Sequence, residues 1–153
     1  MKRLADAVAP KYEVERFLGC GGMAGVFLAH EVNLARSVAI KVMSPALMMD
    51  PKLVRRFRQE ARTTAKLNHS NIVTIYDVGE ENGLFFYSMR YVAGRSVGEV
   101  IPTLREPLEF PVIRHWLTEI GNALDYAHHA GVTHRDIKPA NILLNAQGDA
   151  LVT

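Results

Sequence analysis

His134-Arg135-Asp136-Ile137-Lys138-Pro139-Ala140-Asn141, running into the apolar stretch Ile142-Leu143-Leu144, decides how the rest of this chain is read. Asp136 supplies a carboxylate, Lys138 a cation two positions later, and Asn141 a neutral amide three positions after that. Pro139 has a fixed φ and biases Lys138 toward an extended backbone. A plain polar loop ahead of a strand would explain Ile142-Leu143-Leu144. It would not explain an acid, a cation and an amide at these offsets, so the octet reads as a loop that carries chemistry.

Those three groups match the needs of phosphoryl transfer from ATP. The reaction wants a carboxylate near the incoming hydroxyl, a cation near the γ-phosphate and oxygen ligands for magnesium. Asp136 can orient the hydroxyl and accept its proton. Lys138 can reach the γ-phosphate as a point charge. Asn141 can offer a carbonyl oxygen to the metal.

Composition narrows the class. At 153 residues, 48% hydrophobic and 22% charged, the chain can bury a sizeable core and matches ordinary globular proteins. A formal net charge of +2 gives no bulk electrostatic case for nucleic acid or a membrane surface. The N-terminus has no apolar stretch long enough for a signal peptide or a membrane span. One cysteine, Cys20, excludes an intrachain disulfide and fits a reducing compartment, so a cytoplasmic location is expected. No repeat, low-complexity tract or linker divides the chain.

Working outward, Tyr12 to Ala29 reads as two strands around a glycine turn, and Ser37 to Met43 as an apolar strand carrying one lysine. Asp50-Pro51 opens a helix with apolar residues at Leu53, Phe57, Ala61 and Leu67. Ile72 to Val78 and Leu84 to Tyr91 read as strands, with Glu80-Glu81-Asn82-Gly83 as the turn between them. Ser96 to Glu99 fits a capping box. Pro111 to His129 reads as a long helix with Ile113, Leu117, Ile120, Leu124 and Ala127 along one face, stopped at Gly131. Leu143-Leu144 and Leu151-Val152 suggest a small hairpin.

This order, five strands with a helix after the third and then a helical segment, resembles the eukaryotic-like (Hanks-type) serine/threonine protein kinases, bacterial members in particular. The resemblance covers nearly all of Tyr12 to Thr153. It implies an α+β fold: a five-stranded antiparallel N-lobe with one helix, and the start of a helical C-lobe. It divides the chain into an N-terminal extension (1–11) and a kinase domain (12–153). Within that domain it implies an N-lobe (12–89), a hinge (90–95) and an incomplete C-lobe (96–153).

The resemblance assigns roles residue by residue. Gly19-Cys20-Gly21-Gly22-Met23-Ala24-Gly25-Val26 is similar to the glycine-rich loop G-x-G-x-x-G-x-V, with Ala24 where the third glycine stands. Leu18, Gly19, Gly21, Gly22, Ala24 and Val26 would then line the nucleotide. Val38-Ala39-Ile40-Lys41 matches the V-A-I-K strand, so Ala39 would line the adenine pocket and Lys41 would bind the α- and β-phosphates. Glu60 resembles the carboxylate that pairs with this lysine; the competing reading is an exposed helix acid paired with Arg56, Arg58 or Arg62. Met89 would set the depth of the adenine pocket. Tyr91 and Val92 would be hinge residues, the backbone of Val92 bonding adenine. Arg90 departs from the acid usual there. Asp136, Lys138 and Asn141 would be catalytic, Asn141 also a magnesium ligand. Lys138 at its offset implies serine or threonine as acceptor.

Other candidates read as bland. No adjacent cation clearly lowers the pKa of Cys20. His128 and His129 fit favourable residues at a helix C-terminus. No Cys/His spacing suggests zinc.

The family separates the catalytic aspartate from its Asp-Phe-Gly motif by about eighteen residues, one position past Thr153. The expectation is therefore a partial kinase domain, with ATP and Mg2+ as cofactors, a protein substrate, and little activity until an Asp-Phe-Gly segment is supplied. The expected class is ATP-dependent phosphorylation of protein serine or threonine. The alternative is a non-catalytic nucleotide-binding or protein-interaction module. The exposed face of the long helix is expected to favour self-association.

Overall fold

Val38, Ala39, Ile40, Val42 and Met43 are buried, interrupted only by Lys41. A strand that is apolar toward both sides needs cover on both faces. The computed structural model, which describes residues 2–21 and 24–153, provides both covers. The chain folds as two units: Met1–Lys66 with Ile75–Tyr91, and Leu67–Thr74 with Val92–Thr153.

The first unit contains α1 (Lys2–Val8), β1 (Tyr12–Gly21), β2 (Ala24–Glu31), β3 (Arg36–Met43), α2 (Pro51–Thr64), β4 (Ile75–Glu81) and β5 (Leu84–Arg90). The strands form one antiparallel sheet in the order β1-β2-β3-β5-β4. Residues opposite each other across strands share a face. Val26, Lys41 and Tyr87 are aligned in this way, as are Ala39 and Met89. α2 covers this face, where Phe57 and Ala61 pack with Ala24, Met43, Ile75 and Tyr87. The opposite face carries Ala29, Val38, Ile40, Val42 and Phe86, and Leu4 and Val8 of α1 close over it.

Residues 1–11, read from sequence only as an extension, thus contribute a helix to the core. The available signal was Leu4, Ala7 and Val8 at i, i+3 and i+4. Lys11 adds an ion pair to Asp77. Leu4 is only 4% exposed. Leu4→Ala is therefore expected to cost about 2–5 kcal/mol in urea unfolding, while Arg3→Ala on the exposed side stays within about 0.5 kcal/mol.

Three boundaries differ from the sequence reading. α2 starts as expected, with the Asp50 side chain accepting from the Lys52 amide at 2.8 Å, but it ends at Thr64. Leu67 is outside the helix and belongs to the core of the second unit. The strand expected from Ile72 begins at Ile75, because the chain on either side of Ile72 is bonded elsewhere: the Val152 amide donates to Asn71 O and the Val73 amide to Val152 O, both at 2.8 Å. Glu80 and Glu81 extend β4, and the turn narrows to Asn82-Gly83 with φ of 51° and 72°. Two positive φ values are the geometry of a two-residue hairpin whose twist matches the strands.

The second unit contains α3 (Val97–Val100), α4 (Phe110–His129), β6 (Ile142–Leu144) and β7 (Ala150–Val152), the last two paired antiparallel. Ser96 and Glu99 form the expected capping box, with the Ser96 amide donating to Glu99 at 2.7 Å and the Glu99 amide to Ser96 Oγ at 3.2 Å. That backbone bond from Ser96 holds the Glu99 carboxyl below its usual range. Gly131, at φ 74°, closes α4: its amide reaches His128 O at 2.9 Å and the Val132 amide reaches Ala127 O at 2.8 Å.

Leu67, Ile72, Val97, Ala123, Ala127, Ile142, Ala150 and Val152 form the core of this unit. The buried line of α4 runs through Ala123 and Ala127, with Trp116 and Ile120 against it. Ile113 and Leu117 of the expected apolar face are exposed, as is Phe110, in keeping with the uncovered face expected for this helix. Small residues let α4 approach β7 closely, and the Trp116 indole donates to Gly148 O at 2.9 Å. Among the described residues, no helix is long and apolar enough to cross a membrane.

Candidate active site

In the first unit, the register of β3 determines what Lys41 meets. Lys41 lies on the face covered by α2, and its Nζ donates to Glu60 Oε1 at 2.8 Å. The Tyr87 hydroxyl donates to the same oxygen at 2.9 Å. Burial raises the Tyr87 pKa, and the Glu60 carboxylate raises it further, so the hydroxyl stays a donor. The rival arginine pairing for Glu60 is not what forms: Arg58 pairs with Glu80. Tyr87 was not a sequence candidate. Its only signal was its place opposite Lys41, which needs a strand register that spacing alone does not give.

Around this pair, Ala39 is buried and Val26 and Met89 are half-buried. Leu18 sits at the second of two irregularities in β1. A Cβ added at Gly19 or Gly21 would meet nothing within 4 Å, so the backbone there is open to a ligand. The expectation for Gly22 lies outside the described residues. The Ala24 side chain packs into the α2 core beside Met43, so only its backbone is left to face a phosphate. Cys20 is exposed on β1. Arg16 donates to the Tyr91 hydroxyl at 3.3 Å.

In the second unit, the loop ahead of β6 gathers its three candidates around one carboxylate. Lys138 Nζ lies 2.8 Å from Asp136 Oδ2, and Asn141 Nδ2 lies 3.0 Å from the same oxygen. Asn141 Nδ2 also donates to the Asp136 carbonyl at 2.8 Å. The bond from Lys138, then that from Asn141, holds the Asp136 carboxyl below its usual range. Asp136 is therefore an ionised, exposed acceptor at neutral pH. With Nδ2 turned toward Asp136, the Oδ1 of Asn141 is the atom left for a hard cation, which suits magnesium.

His134 fixes the backbone of this loop. Its Nδ1 accepts from the Asp136 amide at 3.2 Å, which leaves the proton on Nε2 to be donated to Thr153 O at 2.8 Å. Arg135 is held at φ 66°, a conformation costing about 1–3 kcal/mol. Val92 is buried, and its carbonyl accepts from the Gly94 amide at 2.9 Å.

A sequence profile of the protein kinase domain matches residues 12–153. The chain belongs to the protein kinase family. Serine/threonine-protein kinase PrkC of Bacillus subtilis is 40% identical over 98% of this chain, and PknA of Mycobacterium tuberculosis is 36% identical over 99%. The kinase chain spans 23% and 36% of those relatives. The crystal structure of the M. tuberculosis PknI kinase domain is similar with a TM-score of 0.79 at 35% identity. It covers 94% of this chain and 57% of that one. The relatives place the chain among the bacterial Hanks-type serine/threonine kinases, and the five-stranded sheet with its helix is the N-lobe of that fold.

Proposed function

We propose that this kinase chain takes part in ATP-dependent phosphorylation of protein serine or threonine hydroxyls. The observation that carries the proposal is the convergence of Lys138 and Asn141 on Asp136 Oδ2 at 2.8 and 3.0 Å. Asp136 orients the acceptor hydroxyl and takes its proton. Lys138 turns its ammonium from Asp136 toward the transferred phosphoryl group. Lys41, held by Glu60 and Tyr87, contacts the α- and β-phosphates. Gly19 and Gly21 present backbone amides to phosphate oxygens, and Ala39, Val26 and Met89 surround the adenine. The Val92 amide donates to the ring. Magnesium, when bound, neutralises charge on the phosphates, and Asn141 Oδ1 is one ligand for it. The family's second ligand belongs to Asp-Phe-Gly, a motif the 153 residues do not contain.

The test joins these 153 residues to the Asp-Phe-Gly-containing segment of a relative such as PrkC. The expected product with ATP, Mg2+ and a generic protein substrate is phosphoserine and phosphothreonine. A joined protein that folds and binds ATP but transfers nothing would favour a non-catalytic nucleotide-binding module. The proposal also includes self-association through Phe110, Ile113 and Leu117, exposed at one-turn spacings on α4. The 153-residue chain should elute above monomer mass, and Leu117→Glu should return it to a monomer.

A further inference from the structure

His115 and Glu119 lie one turn apart on α4, so their side chains leave the same side of the helix. Asp149 meets them from the turn between β6 and β7, which Trp116 ties to α4 through Gly148 O. One ligand atom from each lies within 4.8 Å of the other two. His115 Nε2 is 3.4 Å from Glu119 Oε2 and 3.4 Å from Asp149 Oδ1. A tetrahedral ion with bonds of about 2.0–2.1 Å spaces its ligand atoms by roughly 3.3–3.4 Å. Two edges of that tetrahedron already exist.

The surroundings orient these groups as an outer shell does in a metal site. Glu119 Oε2 accepts from the Ala150 amide at 2.7 Å, and Glu119 Oε1 accepts from Asn71 Nδ2 at 2.9 Å. Asp149 Oδ2 accepts from Asn145 Nδ2 at 2.9 Å, which turns Oδ1 toward the imidazole. Asn71 is itself fixed, donating to Ala150 O at 3.0 Å. The Glu119 side chain is 15% exposed, while those of His115 and Asp149 are 53% and 40% exposed. The cluster therefore has a rigid base and an open side.

We propose that His115, Glu119 and Asp149 form a site for a divalent transition metal of the zinc class, with water as the fourth ligand. One imidazole nitrogen and two carboxylate oxygens suit zinc, whereas magnesium prefers an octahedral, all-oxygen shell. The competing occupant is a proton, giving an imidazolium between two carboxylates. A bound metal would clamp the β6–β7 turn to α4, and β6 directly follows Asn141. The proposal does not depend on phosphotransfer.

The test titrates Zn2+ into the 153-residue chain by calorimetry, above the usual imidazole pKa of about 6.5. Co2+ serves as a second probe, since a tetrahedral site gives it strong visible absorption. A single saturable Zn2+ site is expected, with a raised melting temperature. His115→Gln and Asp149→Asn should each weaken Zn2+ binding by at least about tenfold and leave the metal-free melt near that of the parent. His128→Gln should bind as the parent does. Absence of saturable Zn2+ binding, parental affinity in either His115→Gln or Asp149→Asn, or equal competition by Mg2+ would overturn the site.

Discussion

Asp136→Asn, in the kinase joined to a relative's Asp-Phe-Gly segment, is expected to lower kcat by about 10²–10⁴-fold with the KM for ATP nearly unchanged. The carboxylate is exposed, so its loss leaves the fold standing, and a thermal melt should match the parent. What disappears is the acceptor for the substrate proton and the anchor that Lys138 and Asn141 share. Lys41→Met should act differently. It removes the cation that Glu60 and Tyr87 position, so it should raise the KM for ATP as well as lower kcat. Because the hydrogen bonds from Lys138 and then Asn141 hold the Asp136 carboxyl below the usual carboxylate range, this group stays ionised as pH falls from neutral. An acid limb in the rate near neutral pH would therefore come from another group. An Asp136→Asn enzyme keeping more than about a tenth of parental kcat would remove Asp136 from the role of base.

The pairing of Lys41 with Glu60 was legible through the resemblance, which placed Lys41 in Val38-Ala39-Ile40-Lys41 and named Glu60 on the following helix as its partner. The capping box at Ser96 and the stop at Gly131 were legible because each is local: a few neighbouring side chains and one φ decide them. What escaped were consequences of packing. Tyr87 joins Glu60 only because β5 lies opposite β3 in a particular register. Leu67 looked like the continuation of a helix and Ile72 like the start of a strand, and the core around β7 claims them instead. α1 escaped because the resemblance began at Tyr12, although Leu4, Ala7 and Val8 carried a helical period. On α4 the apolar stripe was real. Which part of it is buried depends on Ala127, which that face included, and on Ala123, which a search for large side chains passes over. His115, Glu119 and Asp149 escaped for the same reason: the turn that brings Asp149 to α4 is far from the helix in sequence.

Gly94→Ala is expected to cost more than about 4 kcal/mol, a range reached by only a few mechanisms, among them forcing extra volume into a packed site. Sequence reading placed Gly94 in a hinge, where glycine suggests freedom of movement. The structure gives a steric reason instead. A Cβ at this position would stand 1.7 Å from Leu144 O and 2.9 Å from Leu144 C. Neither backbone can yield cheaply. The Leu144 amide donates to Arg95 O at 2.9 Å, one residue from Gly94, and Ser96 bridges Leu143 just beyond. Relieving the clash means separating the chain at 94–96 from β6, which leads out of the Asp136–Asn141 loop. Gly121→Ala provides the opposite case. That glycine is inside α4 with nothing within 4 Å of an added Cβ, so alanine should stabilise by roughly 0.5–1 kcal/mol through backbone entropy. Urea unfolding of both variants separates the two explanations for Gly94. If the residue served only as a flexible joint, Gly94→Ala would unfold within about 1 kcal/mol of the parent. A loss several times larger, beside a gain at Gly121, would mean that close approach of two backbones is what requires glycine there.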